Sequence, residues 1–228
     1  HAPVIFDRIR ATLPYHQVSV EEPLLVSLIE MLPKLDPRDA SISALRVSVA
    51  ESVLHEIEFV SLSANDEPLA RVRSIAKALP RLILSLGALN ARFLPTIIPT
   101  LARLSLLNDD AVARGALSGI SAVCCALPSR VKKHMNKLFE ILAHAYIRHS
   151  PSSTFRSKNA ADDDAKRKGS GRGGDSVCQA CASAGALVRT SCGEQFEALL
   201  DAAMESGKRS LVGFATEVRA EFKASRGR

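Results

Sequence analysis

Cys178-x-x-Cys181, with Cys192 downstream, is the spacing in this 228-residue chain that most resembles a metal site. A structural zinc site takes four thiolate or imidazole ligands, and neither a cysteine nor a histidine follows Cys192 to complete the set. On a helix starting at Asp175, Cys178 and Cys181 fall on one side, where small thiols pack as hydrophobes. Core packing is therefore their expected role, and no metal or cofactor is expected. Cys124 and Cys125 are adjacent, so on a helix they point in different directions, one into the core and one to its edge. His134, His144 and His149 complete the inventory of reactive types near the basic run Arg130, Lys132, Lys133 and Lys137. Histidine works as an acid or base only beside an oriented partner in a substrate pocket. Here there are no paired carboxylates, no nucleophile elbow and no His pair at helical spacing, so the histidines read as solvated or interfacial and the chain is not expected to be an enzyme.

Cations are the stronger candidates. Thirty Lys and Arg stand against 24 Asp and Glu, a net charge of +6 that favours acidic partners without singling out nucleic acid. Arg71, Arg73, Lys77 and Arg81 recur along one expected helix, and Arg130, Lys132, Lys133 and Lys137 along another. Such runs are either solvated faces or the lining of a site for an acidic ligand. In the second case the partner-binding residues are Arg71, Arg73, Lys77, Arg130, Lys133 and Lys137, supplied by different helices to one continuous surface. Nucleic acid is the weaker fit, because bases stack on aromatic platforms and this chain has no Trp and only Tyr15 and Tyr146 as tyrosines. Lys166-Arg167-Lys168 and Gly171-Arg172-Gly173-Gly174 suit nuclear import or RNA contact, but both are short.

The elements that must position these residues are helices. Leu25, Leu28, Ile29 and Leu32 share one helical face over Glu21 to Lys34, with Pro23 in the first turn. Leu45, Val49, Val53, Ile57 and Val60 mark a second helix from Ala40 to about Ser61. Asn65-Asp66-Glu67-Pro68 opens a third toward Gly87, which Pro80 should kink or divide. Asn90 precedes an apolar face of Phe93, Leu94, Ile97, Ile98 and Leu101, where Pro95 and Pro99 argue against one uninterrupted helix. Further helices are expected from Asn108-Asp109-Asp110 through about Ala126, from Pro128-Ser129 through Ile147, from Asp175, around Phe196 to Ala203, and from Arg209 to Lys223. Aromatics amount to only 4% against 46% hydrophobic residues, so Leu, Ala, Val and Ile must fill the core, and no alternation of strand type appears. No apolar run approaches the roughly 18 residues of a membrane span; Pro80, Arg81 and Arg92 interrupt the most apolar stretch, so a membrane is not an expected partner. Five cysteines without disulfide-scaffold density suit a reducing compartment, cytosol or nucleus.

The helices repeat. Asp66-x-x-Leu69-x-Arg71 returns 43 residues later as Asp109-x-x-Val112-x-Arg114, and Leu94, Ile97, Ile98 and Leu101 return 41 residues later as Met135, Leu138, Phe139 and Leu142. Periods of roughly 40 to 47 residues belong to stacked helix pairs. An acidic turn followed by an apolar residue and Arg early in the second helix resembles the HEAT/armadillo-type helical-repeat family. The resemblance implies an all-α fold, an α-solenoid of stacked antiparallel helix pairs, in which Asp66, Asp109, Arg71 and Arg114 would form a ladder between repeats. The expected organisation is an N-terminal segment over 1–20, HEAT-like repeats over 21–149, a disordered low-complexity insertion over 150–174, a further repeat over 175–224 and a polar tail over 225–228. The expected function is a non-enzymatic scaffold or adaptor that binds other proteins in a larger complex. The alternatives are a karyopherin-like nuclear transport receptor and a basic nucleic-acid-binding solenoid.

Overall fold

The computed structural model describes residues 40–64, 68–150 and 172–227, together with Ser27 and Ile29. Every regular element among them is helical, so the fold is all-α. The α-helices are α1 (Ala40–Leu62), α2 (Leu69–Leu86), α3 (Asn90–Ser105), α4 (Asp110–Ala126), α5 (Pro128–His149), α6 (Arg172–Cys192), α7 (Glu194–Glu205) and α8 (Arg209–Arg226), with a 3₁₀ turn, Gly87–Leu89, between α2 and α3. The helix expected over Glu21 to Lys34 lies outside the described residues, except that Ser27 and Ile29 are helical and Ile29 is buried.

Apolar periodicity built these helices as it should. Val49, Val53, Ile57 and Val60 of α1, Leu94, Ile98 and Leu101 of α3, and Leu138 and Leu142 of α5 are all buried in one core. Helix α2 packs on α4, α4 on α6 and α6 on α8; α1 packs on α3, with lighter contacts from α3 to α5 and α5 to α7; and the successive helices α5 and α6, and α3 and α4, pack extensively on each other. Short connections join α3 to α4 and α7 to α8.

Proline behaves differently from expectation. Pro80 sits inside α2, and Pro95 and Pro99 inside α3, yet each helix is continuous. A proline lacks the N–H that would bond the carbonyl four residues back. For Pro80 that carbonyl belongs to Ala76, and it faces Gly115 of α4: a Cβ there would lie 2.6 Å from the Ala76 oxygen. Only glycine permits this approach, so the interruption in α2 becomes the place where α2 and α4 pack closest. In α3 the corresponding residues, Ala91 and Pro95, are exposed, and water can serve their carbonyls.

Helix ends follow local chemistry. Gly87 ends α2 with φ at +54°, and the buried Asn90 donates from Nδ2 to the carbonyls of Ile83 (2.5 Å) and Gly87 (2.7 Å). Asp109 caps α4 by accepting the Val112 N–H at 2.9 Å. Two expected boundaries shift. The low-complexity segment assigned to 150–174 lies outside the described residues over 151–171, but Ser150 is buried and Arg172 already begins α6. The tail assigned to 225–228 starts as the last turn of α8.

The helical run Leu69–Ser105 is, by length and composition alone, long and apolar enough to cross a membrane, which corrects the expectation drawn from its prolines and arginines. Those residues interrupt apolarity but not the backbone. Leu79, Leu82, Ile83, Leu86, Ile97 and Leu101 from this run are buried within the helical core.

Candidate partner-binding surface

Three of the six candidate cations lie on α2 and three on α5, and the structure does not bring the two groups together. Arg73 of α2 reaches Asp109 at the start of α4, so the N-terminal ends of these helices are neighbours. Arg130 and Lys133 follow Leu127, which ends α4 at its other extremity, roughly 25 Å away at 1.5 Å per helical residue. His149 at the far end of α5 returns to Asp110, with Nδ1 3.1 Å from Oδ1, which fixes the direction of α5. Helix α5 packs chiefly on α6 and more lightly on α3 and α7, and no contact of that extent joins it to α2.

Individual cations also have duties. Arg71 is largely buried and ion-paired with Glu56 of α1. Arg73 is 52% exposed and binds Asp109 through Nη2 at 2.6 Å and Nε at 3.2 Å. Lys77, Arg130 and Lys133 are exposed, and Lys137 lies 3.5 Å from Glu140 on its own helix. At Asp109, a turn aspartate of the expected ladder, the paired cation is Arg73. Arg114 donates to the Asp110 carbonyl and to Ser176 Oγ of α6, and Asp66 lies outside the described residues. Burial alone would push the Asp109 carboxyl up, but the Arg73 bond, the Val112 N–H and the Arg73 charge together hold it below the usual carboxylate value.

Charge is unevenly spread. Between Pro68 and Asn108 the chain has six cations and no carboxylate. Three of them turn to glutamates of α1: Arg71 to Glu56, Arg92 to Glu51 at 2.9 Å and Arg103 to Glu58 at 3.8 Å. The other three, Arg73, Lys77 and Arg81, form the exposed stripe of α2, which ends in Leu84, 56% exposed. The stripe has counterparts in the same row. Arg114, Ser118 and Cys125 of α4 are exposed 41 residues after Arg73, Lys77 and Leu84, and Ser176, Ser183 and Leu187 of α6 stand half-buried 62 residues after Arg114, Ser121 and Cys125. Arg81, Arg114 and Leu84 were not among the site residues expected from sequence. Arg81 was visible in its basic run and Leu84 follows it by three on the same helix, whereas Arg114 joins them only through side-by-side packing of α2 and α4.

The thiols and histidines form no reactive centre among the described residues, where no cluster suits a metal ion. Cys124, Cys178, Cys181 and Cys192 are buried and Cys125 exposed, which matches packing as small hydrophobes and the division within the adjacent pair. Burial pushes the Cys124 thiol up to about 12, with Cys125 and Cys192 adding to the effect, and raises Cys181 and Cys192 as well. These groups stay protonated and are poor nucleophiles. His149 corrects its expected solvated role: it is buried against Asp110, joining the end of α5 to the start of α4, and its Nε2 has no partner. Tyr146 donates to Glu217 of α8 at 2.7 Å; burial first, and that carboxylate second, raise its hydroxyl above the ordinary phenol value.

The last helices are tied by ions. Glu197 of α7 lies 2.6 Å from Arg189 of α6 and 2.6 Å from Arg219 of α8, and Arg219 also binds Asp201. The Arg189 contact is one of charge, since its geometry leaves Glu197 Oε2 without an aligned donor. No protein-family model matches this chain, and no curated protein or solved structure matches it either.

Proposed function

We propose that this chain is a non-enzymatic helical-repeat scaffold, an α-solenoid of HEAT-like antiparallel pairs that binds other proteins through its exposed helix faces. The observation that carries this reading is the alternation of packing partners. The contacts from α2 to α4, α4 to α6, α6 to α8 and α1 to α3 support a reading in which alternate helices form two rows and each pair meets mainly the pairs before and after it. The recurrence of exposed positions at 41 residues, and of half-buried ones at 62, supports the same unit, the longer step spanning one repeat plus the low-complexity segment. Such an array gathers a binding site from several repeats because no single pair offers enough area. Buried protonated thiols and the scattered histidines support a binding role over a chemical one.

Chemical crosslinking and mass spectrometry on the tagged chain in cell extract test this reading. The expected result is a reproducible set of proteins crosslinked to residues of the exposed helix faces. Enrichment of no protein over a mock purification would overturn it. Release of the partner by a small GTPase in its nucleotide-triphosphate state would favour a transport receptor, and tight nucleic-acid binding with a steep salt slope would favour a nucleic-acid-binding array.

A further inference from the structure

We infer that the chain pairs with a second copy of itself, the cationic outer face of α5 in one protomer docking on the acidic outer face of α7 in its partner. This contact does not depend on how the other helices are ordered into rows, and the chemistry of its occupant is present in the same chain.

The two helices carry opposite charge. Helix α7 contains four carboxylates, Glu194, Glu197, Asp201 and Glu205, and no Lys or Arg. On α5 the exposed residues include Arg130, Lys132, Lys133 and Lys137, and Glu140 is the single carboxylate of that helix. Spacing matches as well as sign. Lys133, Lys137 and His144 are exposed and separated by four and then seven residues, which at about 100° per residue keeps them within roughly 40° of one another on one face. Read backwards, Glu205, Asp201 and Glu194 are exposed with the same separations, four and then seven. An antiparallel approach of α5 to α7 therefore sets Lys133 against Glu205, Lys137 against Asp201 and His144 against Glu194 at once. In that register Glu140 meets Ala198 and Asn136 meets Ala202, so no like charges oppose along α7 and two small exposed side chains let the backbones close.

These groups are open to a partner. Among the described residues Lys133, His144, Glu194 and Glu205 make no hydrogen bond or ion pair within the chain. Lys137 lies 3.5 Å from Glu140 and Asp201 bonds Arg219 through one oxygen, yet Lys137 and Asp201 remain 58% and 59% exposed. Symmetry then doubles the contact. Phe139 against Phe196 makes α5 and α7 neighbours, and the Lys132 charge acting on the Cys192 thiol puts the start of α5 beside the end of α6, where α7 begins. The two helices thus run in the same direction, and a two-fold axis across them makes each antiparallel to its counterpart in the other protomer. One axis forms the α5 to α7 contact twice. With charge at its centre and no apolar core, such an interface is weak and sensitive to salt. A nucleic acid laid along α5 would be repelled by Glu140 and by the carboxylates of the neighbouring α7, whereas a second copy uses the latter.

Sedimentation equilibrium of the full chain from about 1 to about 200 µM tests the assignment. A monomer–dimer equilibrium is expected at about 50 mM salt, shifted at least about tenfold toward monomer at about 500 mM. Lys133→Glu and Glu205→Lys should each weaken the dimer by roughly tenfold or more, because each sets like charges opposite at both contacts. Their circular dichroism melts should match wild type, since both sites are exposed. An equal mixture of the two variants should dimerise within about threefold of wild type, because each then meets its opposite charge twice. A chain monomeric throughout, a dimer indifferent to either reversal, or a mixture that stays monomeric overturns the proposal. So does a monomer that captures a poly-glutamate peptide or a thymidine oligonucleotide through Lys133, which would assign the cationic stripe to another protein or to nucleic acid.

Discussion

The contact between α2 and α4 and the contact among α5, α7 and α8 do the same job with opposite materials. The first has no aromatic residue; it closes on Gly115 against the Ala76 carbonyl, with Ala76, Ala113 and Ala116 among its buried residues. The second is an aromatic cluster. Phe139 of α5 meets Phe196 of α7 and Phe214 of α8 edge-on at 5.8 Å each, and Tyr146 lies 5.5 Å from Phe214. Salt bridges from Glu197 to Arg189 and Arg219 then fasten the periphery. Small residues let backbones approach and leave a flat outer surface, whereas large rings hold helices apart and fill the space between them. The difference places the close small-residue contact early in the chain and the aromatic-filled core late.

The largest effect should come from the aromatic cluster. Phe214 is fully buried and touches both Phe139 and Tyr146, so Phe214→Ala should cost roughly 3–5 kcal/mol in a urea titration through lost transfer energy and a residual cavity. Leu138→Ala, at a fully buried aliphatic site on the same helix as Phe139, should cost roughly 2–5 kcal/mol. A loss below about 0.5 kcal/mol for either would show that these residues are not core.

At the small-residue contact the sign reverses: adding an atom should hurt. Gly115→Ala gains about 1 kcal/mol of helix propensity but places a methyl within 3 Å of three Ala76 atoms, an overpacking worth roughly 1–3 kcal/mol, so a net loss of about 1 kcal/mol is expected. Ser118→Ala, exposed on the same helix, should be neutral or slightly stabilising. If Gly115→Ala stabilises as much as Ser118→Ala, the close approach is absent.

Much of this arrangement was legible in the sequence. The apolar faces of α1, α3 and α5 were given by periodicity, because burial within a helix depends on local spacing. Of the two outcomes expected at Pro80, division of the helix does not occur, and its freed carbonyl meets a glycine 35 residues beyond the proline, a contact no local window contains. The cation that meets Asp109 was not the one the cadence marks. Arg71 matches the repeating cadence, yet Arg71 and Arg73 point in nearly opposite directions, and it is Arg73 that faces α4. The cationic face of α2 was half legible: charge spacing marks a cationic helix, but which cations of other helices lie beside it depends on the order in which helices pack.

Acid should reveal the Arg73 to Asp109 link. The Asp109 carboxyl sits below its ordinary value in the fold, so the unfolded chain binds the proton more tightly and stability rises with pH through that window. The contribution is complete above the unfolded value of about 3.9 and is lost as pH falls through the lower folded value. Asp109→Asn keeps a capable N-cap while removing the charge, and should cost about 1 kcal/mol at neutral pH and reduce the acid dependence below about pH 4. An unaltered acid limb would show that this carboxylate does not titrate with folding. Smallest of all, Arg130→Glu should change stability by less than about 0.5 kcal/mol, because its exposed side chain lies away from both contacts.

The central claim, that the helices form a stack in which each pair depends mainly on its neighbours, is tested most directly by native-state hydrogen exchange on wild type and Phe214→Ala. Nearest-neighbour stacking predicts that exchange quickens in α5 to α8 while the amides of α1 and α2 keep their wild-type protection. Equal acceleration in every helix would show one cooperative core and contradict the stack.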